Sequence, residues 1–375
     1  MLSVLPSRSA ADACASARDF LQRSQAALGS GDHAAGLEHA EQALQHAAPD
    51  SSERAEALTQ QSTHQWRLGR FEDAVDSGRS ALALWGRLAN DDQRCALLCH
   101  LAVAYSELGL HEEALRHATE SFDCARVHGL RGREVQALNR IGICFERLGD
   151  PAQGERFLLQ SLGEARDMHD DDGTLVALNN LVATTVGACH LYKQRGEHDA
   201  SRQTIERGRS YATQAVALAR RLGDAYRQTV IEGNLGEVLG LLGEHGRALG
   251  LMHEVARRAD EHGYRSVSLR NRCNIAEVML AQGRAADAVP ELLPVLDALR
   301  QRDHEATRMR VHSALHRAYK ALGKFEPALA HCEAHHAMEL QRAALQNQAQ
   351  ARLMINRVEV EHQLALAERA RQVSR

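Results

Sequence analysis

Three observations predict an all-α fold, a right-handed α-solenoid: helix formers fill nearly every segment, one glycine returns at a fixed interval, and small residues flank it at constant offsets. The first is compositional. Aromatics make up 4% of the 375 residues and prolines number six, Ala, Leu, Glu, Arg and Gln dominate, and the β-branched, aromatic runs that build strands are missing.

The second observation is the recurrence of Gly69, Gly109 and Gly149, and then of Gly243, Gly283 and Gly323, each run at a spacing of 40 residues. The surroundings repeat with it, as in Glu107-Leu108-Gly109-Leu110-His111-Glu112-Glu113-Ala114 and Ala321-Leu322-Gly323-Lys324-Phe325-Glu326-Pro327-Ala328. A glycine here ends a first helix, A, because it enters the left-handed cap conformation without steric cost.

The third observation concerns the flanks. Seven residues ahead of the glycine stands a small residue (Ala102, Gly142, Gly236, Ala276), and three beyond that an aromatic or large apolar one (Tyr105, Phe145, Leu239, Met279, Tyr319). These fall on one stripe of helix A, where the small side chain admits a partner helix closely. Five residues past the glycine, Ala74, Ala114, Ala248, Ala288 or Ala328 supplies the matching contact on helix B. Each unit is therefore an antiparallel helix pair, and about eight units begin at Ala17, Ala55, Cys95, Val135, Leu175, Thr229, Leu269 and Met309.

Residues 1–16 read as a flexible leader, 17–336 as the array, and 337–375 as one long helix. The unit at Thr229 starts fourteen residues late, and the surplus near 190–211, with Lys193-Gln194-Arg195-Gly196-Glu197-His198-Asp199, reads as a lengthened polar hairpin on the surface. From Ala337 to Arg375 there is no Gly or Pro over 39 residues. A heptad stripe runs through Leu340, Ala344, Ala351, Met354, Val358 and Ala365, interrupted by Asn347 and Glu361. Such a helix folds back as a cap or pairs with a second copy as a coiled coil, and pairing to a homodimer is the favoured reading.

The offsets resemble those of the tetratricopeptide repeat (TPR) family, whose 34-residue consensus has small, aromatic and alanine positions at these places, over nearly the whole chain. The extra six residues of each unit lengthen the helices or the B-to-A connection, as in longer-repeat members that bind extended peptides. Residues 351–362 also resemble the helix joining a TPR array to an output domain in bacterial signalling proteins, notably GGDEF-family diguanylate cyclases and some histidine kinases. That resemblance implies a sensory or adaptor module whose catalytic half lies elsewhere, and the mid-helix character of 370–375 fits it. Peptide-pheromone regulators also use 40-residue repeats but carry an amino-terminal helix bundle or DNA-binding headpiece, for which 1–16 is too short. A plain assembly scaffold is the remaining alternative.

A net charge of −4 with both signs interspersed gives no footprint for nucleic acid or an anionic membrane. No apolar run approaches a bilayer span, and Met1-Leu2-Ser3-Val4-Leu5-Pro6 lacks a secretory pattern, so the expected location is cytoplasmic. The eight cysteines contain no C-x-x-C and read as reduced, buried small hydrophobes. Cys95 and Cys99 lie four apart on a helix A and read as packing. His331 and His335 are also four apart, but they lack the H-E-x-x-H order and a third ligand, so no metal site is assigned. No glycine-rich cofactor loop, nucleophile elbow or isolated acid–base pair is found, so neither a catalytic site nor a cofactor is expected.

The remaining candidate is the concave groove, lined in this family by set places on helix A. The resemblance carries these onto Asn139 and Arg140, Asn179 and Asn180, Asn234 with Glu237, Arg270 with Asn274 and Glu277, and Arg310 with Arg317. Two roles are open to them. Asparagines bond the neighbouring repeat while charges face water, or the amides clamp an extended peptide's backbone and the arginines take its carboxylates.

Overall fold

The computed structural model describes residues 10–299 and 305–373, among which there are sixteen helices and no strand. They pair as eight units: α1 (Ala10–Ser30) with α2 (His33–His46), α3 (Ser52–Arg67) with α4 (Phe71–Arg87), α5 (Asp91–Glu107) with α6 (His111–Val127), α7 (Arg131–Arg147) with α8 (Pro151–Asp167), α9 (Asp171–Gln194) with α10 (His198–Leu222), α11 (Ala225–Leu241) with α12 (His245–Glu261), α13 (Arg265–Ala281) with α14 (Ala285–Ala298), and α15 (Glu305–Ala321) with α16 (Phe325–Val373). Each predicted unit start falls in an odd-numbered helix. The predicted leader does not hold in full. Residues 1–9 lie outside the described residues, but α1 begins at Ala10, ahead of Ala17, because the Ala-rich stretch that follows contains nothing that breaks a helix.

The 40-residue period is two 17-residue helices joined by three-residue links, as in α5 to α8, so the extra residues of each unit lengthen its helices. The A-to-B link is a Schellman motif. Gly109 has φ 74°, its N–H donates to Ser106 O (3.0 Å), and Leu110 N–H donates to Tyr105 O (2.9 Å). The B-to-A links use the same left-handed residue, but the chain places Ala89 (φ 51°) and His169 (φ 55°) there as well as Gly129 and Gly263.

Helices A and B cross where the small residues meet. Ala102, Ala114, Ala248, Ala276 and Ala288 are fully buried. In unit 4 the contact needs glycine on both sides, since a Cβ on Gly142 would stand 2.6 Å from Leu158 Cγ and 3.0 Å from the Gly154 carbonyl oxygen. Large side chains above and below this crossing, such as Tyr105, Leu158 and Met252, complete a core that runs continuously from unit to unit.

The surplus residues are helical. They extend α9 to 24 and α10 to 25 residues, which turn at Arg195-Gly196-Glu197. Arg207 and Tyr211 of α10 both donate to Glu155 of α8 (2.8 and 2.9 Å to Oε1), which braces the extension against unit 4. The extension also corrects one expectation. Among the described residues α9 is long and apolar enough to cross a membrane, with a mean hydropathy of 1.3 over its most apolar window, but 56% of that window is buried inside the array. The apolarity serves packing, because α9 lies between α8 and α10 and also touches α7 and α11.

Helix α16 continues without a break from unit 8 into the long helix expected after His336. It returns to the other end of the array. Ala349 is buried among residues of units 2 and 3, Gln346 covers Gly109, and Arg352 pairs with Glu72 at the start of α4. Leu340 and Met354 of the heptad stripe lie on the opposite face and are exposed, while the side chains of Val358 and Ala365 are outside the described residues.

Two predictions follow from this core. Gly142→Ala should lower stability by about 1–3 kcal/mol through overpacking, whereas Gly163→Ala, in the middle of α8 with nothing within 4 Å, should raise it by about 0.5–1 kcal/mol. Urea denaturation midpoints compare the two. The second concerns His117, which is buried, stacks on Tyr105 (centroids 5.0 Å apart) and leaves both ring nitrogens unbonded. Burial, with Arg116 adding, pushes its pKa down to about 4, and burial does the same to His100. Both stay neutral in the fold while the unfolded chain protonates near 6.5, so their contribution is intact above that pH and is lost as pH falls towards 4. His117→Phe should flatten part of that loss and add about 1 kcal/mol at pH 7, as thermal melts across pH 4–8 would show.

Candidate functional site

The inner face follows from how the helices touch. Each A helix packs on the A helix of the next unit along most of the array (α1 on α3, α5 on α7, α7 on α9, α9 on α11, α11 on α13, α13 on α15), whereas no two B helices pack on one another as neighbours do. An array tight on one layer and splayed on the other curves, and the A helices line its concave side. The predicted groove residues all belong to α7, α9, α11, α13 and α15.

The structure joins these residues side chain to side chain. Asn139 Nδ2 donates to Ser161 Oγ (2.7 Å), tying α7 to α8, and its Oδ1 accepts from Asn180 Nδ2 (3.2 Å) of the next unit. Asn234 Nδ2 donates to Asn179 Oδ1 (2.7 Å). Asn274 Nδ2 donates to Glu237 Oε2 (3.3 Å), while its Oδ1 accepts from Arg310 Nη2 (2.7 Å). Arg317 closes the row on Glu277 (2.5 Å). The asparagines therefore bridge consecutive units through each other's amides, and the row is interrupted between Asn234 and Asn274.

Two members of the set stand apart from this network. Arg140 Nε and Arg270 Nη2 are buried donors without an acceptor. Burial draws the Arg270 guanidinium below its usual range, with Arg310 adding and Glu237 opposing. An unmet buried donor costs stability, so these two positions hold hydrogen-bonding capacity that the fold itself does not use.

The sequence reading missed His190. It lies on the extended part of α9 and is exposed. Desolvation holds its pKa below the usual histidine range, Lys193 and Arg310 push the same way, and Glu237 and Glu277 oppose them. Only the fourteen-residue offset at this unit hinted that α9 reaches over the groove. At the far end a cleft of about 340 Å³ lies between α13, α15 and α16, lined by Glu277, Met309, Arg310, Ser313, His335 and Arg342. The last helix thus forms one wall of the groove.

The histidine and cysteine pairs are now placed. His331 bonds His312 (Nδ1 to Nδ1, 3.0 Å) and stacks on Tyr319, while His335 faces Glu339. Cys95, Cys99, Cys144, Cys189 and Cys273 are buried as expected, but Cys332 is exposed and Cys124 half-buried. Cys14 has no described side chain.

These features define a TPR-like helical solenoid with a polar concave face in which arginines and glutamates pair. No family model matches the sequence, and no curated protein matches it significantly. Solved structures do match in fold. A Rap protein complexed with competence and sporulation factor superposes with a TM-score of 0.68 at 13% identity, over 91% of this chain and 89% of that one. The Rap conjugation gene regulator of plasmid pLS20, in complex with a Phr peptide, gives 0.59 at 13% identity over 88% and 96%. Aspartyl phosphate phosphatase F from Bacillus subtilis gives 0.59 at 13% identity over 78% and 73%.

Proposed function

We propose that the chain is a peptide-responsive sensory module of a bacterial signalling system, taking an extended peptide along the concave face of units 4–8 and acting on a separate output partner. The observation that carries this is the inner row of asparagine amides with the unmet guanidinium donors of Arg140 and Arg270 beside it. An extended peptide presents alternating N–H and C=O groups to such a row, and its carboxylates meet Arg270, Arg310 and Arg317. The fold likeness to a Rap protein complexed with competence and sporulation factor and to a Rap regulator in complex with a Phr peptide supports the same reading.

Helix α16 carries the response in this proposal. It borders the cleft through His335 and Arg342 and reaches units 2 and 3 through Ala349 and Arg352, so a change in curvature across the groove pulls on two places along one helix. Its opposite face, with Leu340 and Met354 exposed, pairs with a second copy.

Two measurements test these points. A peptide selected from a randomised library on the native chain should lose affinity at least tenfold, about 1.4 kcal/mol, for the Asn234→Ala/Asn274→Ala double variant. Helical content and melting should stay nearly unchanged, and a double variant that unfolds makes the row structural only. Light scattering should give a dimer for the full chain and a monomer for one stopped at His336. Monomers for both would leave α16 as a cap on the array.

A further inference from the structure

A second set of chemistry-bearing side chains lies in unit 3, away from the inner row. Asp91 and Cys95 stand one turn apart at the start of α5, and Cys124 and His128 stand one turn apart at the end of α6, on the antiparallel partner. One ligand atom each from Asp91, Cys124 and His128 lies within 4.8 Å of both others. Cys95 is buried beside them with its thiol against that of Cys124. We propose that Asp91, Cys95, Cys124 and His128 form a zinc site that staples the open end of the α5–α6 hairpin.

The local geometry is built for this. Ser121 Oγ donates to the Cys95 carbonyl (2.8 Å), which fixes α6 against α5 one turn from the site. Asp91 uses Oδ1 for Arg94 (2.9 Å), and its Oδ2 is left facing His128 Nδ1 at 3.3 Å. Four donors around tetrahedral Zn²⁺, at about 2.0–2.3 Å from the ion, stand roughly 3.3–3.8 Å from one another. One pair is already at that separation and Cys124 lies within 4.8 Å of both, so these three need only side-chain rotations, while Cys95, outside that group, must turn in from its place against Cys124. Two thiolates with an imidazole and a carboxylate select zinc over calcium or magnesium, which take oxygen ligands. Cys95 forms the floor while Asp91 and Cys124 are half-buried and His128 is exposed, so an ion reaches the site from solvent.

The pattern escaped sequence inspection because it is D-x-x-x-C and C-x-x-x-H on two different helices rather than a C-x-x-C knuckle. Its neighbour Cys99, which with Cys95 gave the visible four-residue spacing, bonds Ser121 instead (3.3 Å).

The test uses the tag-free full chain under a phosphine reductant, loaded with Zn²⁺ and desalted. Elemental analysis should find one zinc per chain, and Co²⁺ loaded in its place should show thiolate charge-transfer and tetrahedral d–d absorption. Cys124→Ser and His128→Asn should each weaken zinc binding by about a hundredfold or more, beyond the loss of an outer-sphere partner, while Cys332→Ser changes nothing. Absence of the thiolate band in the cobalt-loaded native chain overturns the proposal whatever the variants do. So does zinc that survives both Cys124→Ser and His128→Asn, which would place it adventitiously on the other histidines.

Discussion

Every feature of this molecule depends on the close crossing of paired helices at small side chains, held in register by links of three residues. In a solenoid each unit inherits the orientation of the one before, so a link of variable geometry would accumulate error along the array. The Schellman turns at Gly109 and Gly149 prevent this by satisfying the last carbonyls of helix A while reversing the chain in a single conformation. The glycine contact between Gly142 and Gly154 then sets how near two helices lie, and the large residues on either side fill the space that remains.

Curvature follows from this packing, and the inner face follows from curvature. Because the A helices are tight on one another, their side chains at equivalent places come within hydrogen-bonding distance across units. The amide row is both a brace between units and a polar surface. An amide such as that of Asn139 meets a hydroxyl and a neighbouring amide at once and has little capacity to spare. Arg140 and Arg270 are the reverse, held inside with donors unmet. Unsatisfied polar groups on an otherwise consistent scaffold are where a fold gives up stability for something else.

The two departures from regularity both act on the groove. The long α9–α10 pair places His190 within the field of Glu237 and Arg310, and α16 walls the cleft at unit 8 before reaching units 2 and 3. Beyond Pro327 in its first turn α16 has no helix breaker, so it is a stiff element, and its contacts at His335 and Arg342 are mechanically linked to those at Ala349 and Arg352.

The repeat, the unit boundaries, the all-helical class and the family of offsets were legible in the residues themselves, because helix propensity and left-handed caps are local properties that leave a mark at each position. Legible too was which side chains share the inner stripe, since 3.6-residue periodicity places them there before any packing occurs. What each of those side chains meets was decided only in three dimensions. The partner of Asn234 is Asn179, one unit back across the fourteen-residue offset, and the acceptors that Arg270 lacks are absent because its neighbours are already paired. The same holds for the return of α16 and for the gathering of Asp91, Cys95, Cys124 and His128. Contacts between residues far apart in the chain depend on how rotations accumulate over many units, and no single segment encodes that sum.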